Sequence, residues 1–396
     1  MTETAVNKKK YLGELIKPGR HYLEGSEACL EGALVAGLRV YAGYPITPAS
    51  EIMEHASRRL PQFGGRFIQM EDEISAASTL VGASWSGAKA MTATSSPGFS
   101  LMQEVISFSI MTETPIVIVD VQRPGPGQGY ITTSQEDVMQ ARYGHHGEGP
   151  IIALAPSSVQ DMFELTIEAF NLSEKWRSPV LLMTEETVAH MREQLIVPEL
   201  DTIEIVGRKK PQELGIMPEE YRPYGHDVVP PMANFGEGYN INHVSLAHYE
   251  DGGVGNYSLK AHRENIDRLH RKIEGNVNEI ARVEFLFLDD CEHVLICYGS
   301  VARTGLEAVK EVRDVHGIKM GFIRLVTLWP FPEEKLRNLI STVKTVFVPE
   351  MNLGMMIHPI KEALRDKSEQ VVAMPEIAAL HTPDRLVNQI LEVTAC

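Results

Sequence analysis

At 396 residues, with 43% hydrophobic and 23% charged residues, the sequence is long enough for two or three globular domains with sizeable cores. Its 53 acidic residues outnumber 37 basic ones, a formal net charge of −16 that argues against nucleic acid or an anionic membrane as the main partner. No apolar run approaches the roughly 18–20 residues that a bilayer-spanning helix needs.

Residues 1–20 carry a lysine cluster without the apolar stretch of a signal peptide, so a short tail lying on the surface or on a partner is expected there. Residues 25–37 (GSEACLEGALVAG) read as a helix with Ser26 as N-cap, followed by the strand LRVYAG. A helix over 48–60 opens on Pro48, where the missing N–H costs nothing. Strand 67–70, helix 72–85, strand 89–93 and helix 98–111 follow, then 115–121 (PIVIVDV), the clearest buried strand. Strand 151–155, helix 157–171 and strand 179–183 repeat the pattern. Strands separated by such helices predict βαβ units and a mainly parallel sheet covered on both faces.

The pattern lapses from 206 to 284, a Pro-, Gly-, Tyr- and His-rich stretch that ends in a polar helix over 259–283. So long an irregular segment is expected to be functional or interfacial. A second α/β unit spans 285–396, after a first of 1–205. Its elements are the strand VLICYGS, a helix over 302–316, the strand MGFIRLV, a WPFP turn, a helix over 333–340, the strand TVFVPE and a helix through Ile360.

Four stretches bear on chemistry. In GYPITPAS the prolines at 45 and 48 hold Tyr44 and Thr47 out of helical geometry, which suits a rigid ligand wall or a plain connector. In QMEDEISAA three carboxylates crowd a strand-to-helix junction. The macrodipole favours acids there by about 0.3–1 kcal/mol, but the carboxyl end of a parallel strand is also where open sheets bind ligands. Arg123 follows the buried strand and could offer a fork to a carboxylate or phosphate, or form a surface ion pair. The glycines at 125, 127 and 129 fit neither GxxxxGK[ST] nor GxGxxG, and Pro124 and Pro126 remove donors, so no phosphate cradle is expected. His145, His146 and Glu148 in YGHHGEGP lack zinc-like spacing, and neither His243, His248 nor His262 suggests a ligand alone. Cys29, Cys291, Cys297 and Cys396 show no CxxC, which points to a cytoplasmic protein that ligates no metal cluster itself.

Read in order, GSEACLEGALVAG, AGYPITPASEIMEH, MEDEISAAS, TSSPGFSLMQE, DVQRPGP and QEDVMQARYGHHGE resemble the α subunit of 2-oxoacid:ferredoxin oxidoreductases. VLICYGSVARTGLEAVKEVR, LVTLWPFP and VFVPEMNLGM are similar to that subunit's second, transketolase C-terminal-like domain, so the resemblance covers about residues 20–392. It implies a thiamine diphosphate-type pyrimidine-binding domain followed by the transketolase-like one. It also implies a β subunit that holds the diphosphate through Mg²⁺ and carries a 4Fe-4S cluster, in a heterotetramer of two α and two β chains or a larger assembly. Glu73 would bond the aminopyrimidine ring and promote its imino tautomer. Thr47 would face the substrate, Arg123 would grip its carboxylate, and Thr132 would be a second substrate contact. Tyr44 and Pro45 would line the cofactor. The GPGQG after Arg123 departs from the commoner GPSTG, which touches loop shape and side-chain specificity. The implied reaction converts a 2-oxoacid and coenzyme A to acyl-CoA and carbon dioxide with electrons passing to ferredoxin, in either direction. The cues around QEDVMQARYGHHGE are closest to 2-oxoglutarate enzymes; pyruvate, branched-chain or aryl 2-oxoacids, or a non-catalytic scaffold, are the alternatives.

Overall fold

The computed structural model describes residues 14–225, 227–242, 245–249, 257–365 and 370–394; most of the expected N-terminal tail, His243 and Cys396 lie outside them. Strands β1 (Gly19–Glu24), β2 (Leu38–Gly43), β3 (Arg66–Gln69), β4 (Lys89–Thr94), β5 (Ile116–Gln122), β6 (Ile152–Leu154), β7 (Pro179–Glu185) and β8 (Arg192–Val197) come from the first half. Strands β9 (Val283–Leu286), β10 (His293–Cys297), β11 (Met320–Leu325), β12 (Thr327–Trp329), β13 (Thr345–Glu350) and β14 (Val371–Pro375) come from the second.

The larger sheet has the order β12-β6-β7-β5-β4-β2-β3 and is parallel except for β12. All seven residues of β5 are buried, as a strand covered by helices on both faces must be. The smaller sheet, β14-β13-β10-β11-β9, is parallel except for its edge strand β9. This is the expected α/β architecture with parallel sheets.

Several local expectations shift. Ser26 is not the N-cap: its hydroxyl donates to the Ala189 carbonyl at 3.0 Å, and Glu27 accepts the Glu24 amide at 3.1 Å to close the first turn. The second helix starts at Ser50 rather than Pro48 and continues as a 3-10 turn to Phe63. The helix expected over 259–283 runs Leu259–Ile273 and breaks at Gly275, where helical backbone loses most entropy. Strand β9 then starts at Val283 and pairs with β11 in the smaller sheet. The sequence pattern does not announce β1, β8, β12, β14 or the helix Pro383–Thr394. β12 leaves its own unit to pair with β6, with Thr327 opposite Leu154 and Trp329 opposite Ala153.

The irregular segment between the units is a strap along the amino-terminal edge of the larger sheet. Arg177, just before β7, is fully buried and donates from Nη1 to the carbonyls of Pro223 (2.8 Å), Pro230 (3.0 Å) and Pro231 (3.2 Å). These carbonyls belong to a proline-rich chain with few N–H groups of its own, and the guanidinium supplies donors to buried acceptors that a ladder would otherwise have to satisfy. Glu113, at the turn before β5, receives Arg268 at 2.5 Å and Lys272 at 2.7 Å from the helix Leu259–Ile273. Burial opposes ionisation of Glu113, but Arg268, Lys272 and Arg177 outweigh it and hold the carboxyl well below the usual carboxylate range. The strap is thereby pinned to the edge opposite the strand ends that carry Glu73 and Arg123.

Candidate functional site

The carboxyl ends of β2, β3, β4 and β5 lie side by side, and the segments leaving them hold the residues singled out in the sequence. Open parallel sheets bind ligands at this edge.

The three acids after β3 separate. Glu71 and Asp72 are exposed. Asp72 is the N-cap of the helix Glu73–Trp85: its carboxylate accepts the Ser75 amide at 2.7 Å, and that bond lowers its pKa. Glu73, the first residue inside the helix, is only 5% exposed. Its side chain lies across the first turn of the helix Ser96–Met111. A Cβ on Gly98 would sit 2.4 Å from Glu73 Oε1 and 2.2 Å from Thr94 Oγ1. Glycine at 98 therefore leaves the space that the carboxylate occupies.

Arg123 is 4% exposed at the end of β5. Its Nη1 donates to the Thr47 carbonyl at 2.7 Å and its Nη2 to Gln128 Oε1 at 2.9 Å. Its buried Nε has no partner, an unmet donor of the kind that an anionic ligand satisfies. The GYPITPAS loop and the loop after β5 thus meet through the Thr47 backbone. The Thr47 hydroxyl takes no part, and Thr47 itself is exposed. Gln128 belongs to the GPGQG that departs from the commoner pattern, and it sits directly on the guanidinium.

The loop carrying Gln128 is folded back tightly. Gly129 has φ +56°, and a Cβ there would fall 1.7 Å from the Pro124 carbonyl oxygen. The far end of the loop is fixed by the second unit through Gln135. Its side chain donates to the Tyr298 carbonyl at 3.0 Å and accepts the Met351 amide at 3.1 Å. Its backbone amide donates to the Met351 carbonyl at 3.1 Å, and its carbonyl accepts from Asn352 Nδ2 at 2.7 Å. Four bonds at one residue tie the arginine loop to the ends of β10 and β13.

Thr132 is half-buried and makes no hydrogen bond to Arg123, Thr47 or Glu73; Tyr44 and Pro45 are exposed on the rim beside Thr47. Thr94, Gly98, Gln128 and Gln135 were not singled out in the sequence. TSSPGFS contained a signal for Gly98, a glycine at a helix start after a strand, but only the fold shows that Glu73 lies over it. His145 is buried while His146 and Glu148 are exposed, and His262 is exposed. His248 is buried against Tyr224, with ring centroids 3.5 Å apart, and burial pushes its pKa down to about 4. Among the described residues no group of three or more His, Cys, Asp or Glu is arranged to hold a metal. Among them, too, no helix is long and apolar enough to cross a membrane.

The family model described as pyruvate flavodoxin/ferredoxin oxidoreductase, thiamine diphosphate-binding, matches residues 31–268, more than half of the chain. The chain belongs to this oxidoreductase family. The model for pyruvate:ferredoxin oxidoreductase core domain II matches residues 291–380. The 2-oxoglutarate synthase subunit KorA of Methanocaldococcus jannaschii is 48% identical over 373 residues, 93% of this chain and 99% of that protein. A solved 2-oxoglutarate:ferredoxin oxidoreductase from Magnetococcus marinus superposes with a TM-score of 0.88 at 30% identity; it covers 95% of this chain, which spans 65% of that longer one. A split-gene transketolase in an inactive tetramer shares the fold, with a TM-score of 0.54 at 12% identity over 94% of this chain and 98% of that one.

The site's residues fit a thiamine cofactor. A carboxylate shielded from water, over a glycine that leaves room beside it, suits proton exchange with a weakly basic ring nitrogen. The bare Arg123 Nε suits the carboxylate of an oxoacid.

Proposed function

We propose that this chain is the α subunit of a 2-oxoglutarate:ferredoxin oxidoreductase, forming succinyl-CoA and carbon dioxide from 2-oxoglutarate and coenzyme A while reducing ferredoxin, and able to run in reverse. The observation that carries this reading is the 48% identity along 99% of the methanogen KorA subunit. The likeness to a solved 2-oxoglutarate:ferredoxin oxidoreductase supports it.

Bound thiamine diphosphate supplies the nucleophilic carbon and the electron sink that decarboxylation of a 2-oxoacid requires. Glu73 would hold the aminopyrimidine ring and exchange a proton with it at a carboxylate oxygen. Its burial keeps water from competing for that proton. Tyr44 and Pro45 would line the ring's approach from the rim. Arg123 would meet the oxoacid carboxylate through Nε and Nη2, with Gln128 yielding or sharing the latter. Thr47 and Thr132 would orient the substrate from either side. In this reading the first 205 residues form the pyrimidine domain, 206–284 the strap, and 285–396 a domain that steadies the Arg123 loop through Gln135.

A β subunit would supply the Mg²⁺-bound diphosphate site, the iron–sulfur cluster and the ferredoxin contact, in an assembly of two α and two β chains or larger. Four cysteines without cluster spacing in this chain support that division. The name "subunit" borne by the relatives supports a heteromer.

The test is a panel of 2-oxoacids with coenzyme A and a viologen acceptor, using the complex purified with its partner chain. The highest kcat/KM is expected with 2-oxoglutarate; clearly higher values with pyruvate or a branched-chain acid would reassign the substrate.

A further inference from the structure

Behind Arg123 lies a pair of carboxyl groups that the proposed chemistry does not use. Asp120 is in the middle of β5, opposite Thr94 of β4 and Met183 of β7, and is fully buried. Neither of its oxygens receives a hydrogen bond from an N–H or hydroxyl donor. The group that faces it is the carboxyl of Asp137, itself buried at the end of the arginine loop. Two carboxylates in contact away from water do not both ionise, so the pair is held by a shared proton. Burial and the Asp137 charge raise the pKa of Asp120 well above the usual range. Burial raises Asp137 to about 6 against the bonds from Ser96 and Asp120, and Glu136 adds repulsion.

Ser96 connects the pair to Arg123. Its hydroxyl bonds Asp137 Oδ2, accepts the Arg123 amide at 3.0 Å and lies 2.9 Å from the Arg123 carbonyl oxygen. The Asp137 amide donates to Gln122 Oε1 at 3.1 Å, closing the loop end onto β5. A hydroxyl has one proton. With Asp120 holding the shared proton, it donates to Asp137, whose carboxylate takes the Ser96 hydroxyl, and the oriented Ser96 Oγ accepts the Arg123 amide. When the pair loses its proton, the two carboxylates repel and Asp137 is driven off Ser96, which loosens the bond to the Arg123 amide.

We propose that the Asp120–Asp137 pair positions Arg123: sharing one proton, the two carboxyls set Ser96, and Ser96 sets the Arg123 backbone, keeping the guanidinium at the Thr47 carbonyl to meet the oxoacid carboxylate. This rests on the reading of Arg123 as the oxoacid clamp. Asp120 and Asp137 touch no substrate; they are positioning residues acting through Arg123.

The experiment uses the heteromeric complex with 2-oxoglutarate as probe. Arg123 holds the substrate carboxylate before the bond to carbon dioxide breaks, so misplacing it weakens binding and raises KM more than it lowers kcat. Asp137→Ala is expected to raise KM about ten- to a hundredfold, while kcat and the Kd for thiamine diphosphate, measured by calorimetric titration, stay within about twofold. Ser96→Ala, which deletes only the bridging hydroxyl, is expected to give the same split, and it serves if Asp137→Ala does not assemble. In an Arg123→Ala background Asp137→Ala should add nothing. The wild-type KM should rise with pH as the shared proton is lost. Asp120→Asn, whose amide donates to Asp137 at every pH, should keep a low, flat KM. Equal losses in kcat and cofactor affinity, full additivity with Arg123→Ala, or a wild-type pH rise in Asp120→Asn would each overturn the proposal. An unchanged KM in Arg123→Ala alone would instead sink the clamp reading, and the positioning role with it.

Discussion

Glu71, Asp72 and Glu73 are adjacent acids in three environments, one exposed, one capping a helix and one buried over Gly98. Only the last is placed to exchange a proton out of reach of water. Glu73→Gln keeps the shape and removes the exchangeable proton, so turnover should fall about a hundred- to ten-thousandfold. Assembly, followed by size-exclusion chromatography, should be unchanged; near-normal turnover would remove Glu73 from the mechanism. Gly98→Ala tests the same contact from the other side. Alanine in an ordinary helix is favoured over glycine by roughly 0.5–1 kcal/mol. Here the new Cβ would stand 2.4 Å from Glu73 Oε1, so the carboxylate must move. Turnover should drop about a hundredfold while far-ultraviolet circular dichroism is kept. A variant as active as wild type would show that the carboxylate's place above Gly98 is immaterial.

At the scale of elements, the strap and the helix Leu259–Ile273 depend on charges buried far from the site. Glu113→Ala leaves Arg268 and Lys272 buried without their carboxylate, a loss of about 3–5 kcal/mol for pairs of this kind. A shift of the urea midpoint with unchanged slope would show it. The sign with pH follows from the lowered pKa of Glu113. Its stabilisation is present above the pKa of an unfolded glutamate and is lost as pH falls towards the folded value. The wild type should therefore lose urea resistance on acidification, and Glu113→Ala should lose less. An equal acid response in both would place the acid-labile contacts elsewhere.

At the scale of the whole molecule, the second unit is built onto the first through β12, through the four bonds of Gln135 and through Glu185. Glu185, at the end of β7, accepts the Ser300 amide at 2.6 Å while its other oxygen is unpartnered. Burial raises its pKa from 4.5 to about 7, against the bonds from Ser300. A carboxyl raised on folding stabilises most below its unfolded pKa, and that contribution is lost as pH rises through the folded value. Glu185→Gln is neutral at all pH, so its stability relative to wild type should improve between about pH 5 and pH 8. Parallel urea midpoints for the two proteins across that range would remove Glu185 from the pH response of the seam.

Apart from the family resemblance, which implied that Glu73, Thr47 and Arg123 share a site, the sequence by itself determined the alternation of strand and helix and the parallel sheet. Those features follow from local periodicity and from continuous apolar runs such as PIVIVDV, which need no knowledge of distant residues. That run holds one acid, Asp120, but nothing in the sequence pairs it with Asp137, 17 positions on. Tertiary structure alone decided the rest. A three-residue strand such as β12 has too short a pattern to declare a partner in another unit. The strap has no period because its carbonyls are held by side chains, three of them by Arg177, rather than by a ladder. Gly98, Ser96, Gln128 and Gln135 matter through contacts across the chain, and side-chain contacts between distant segments are set by packing rather than by sequence order.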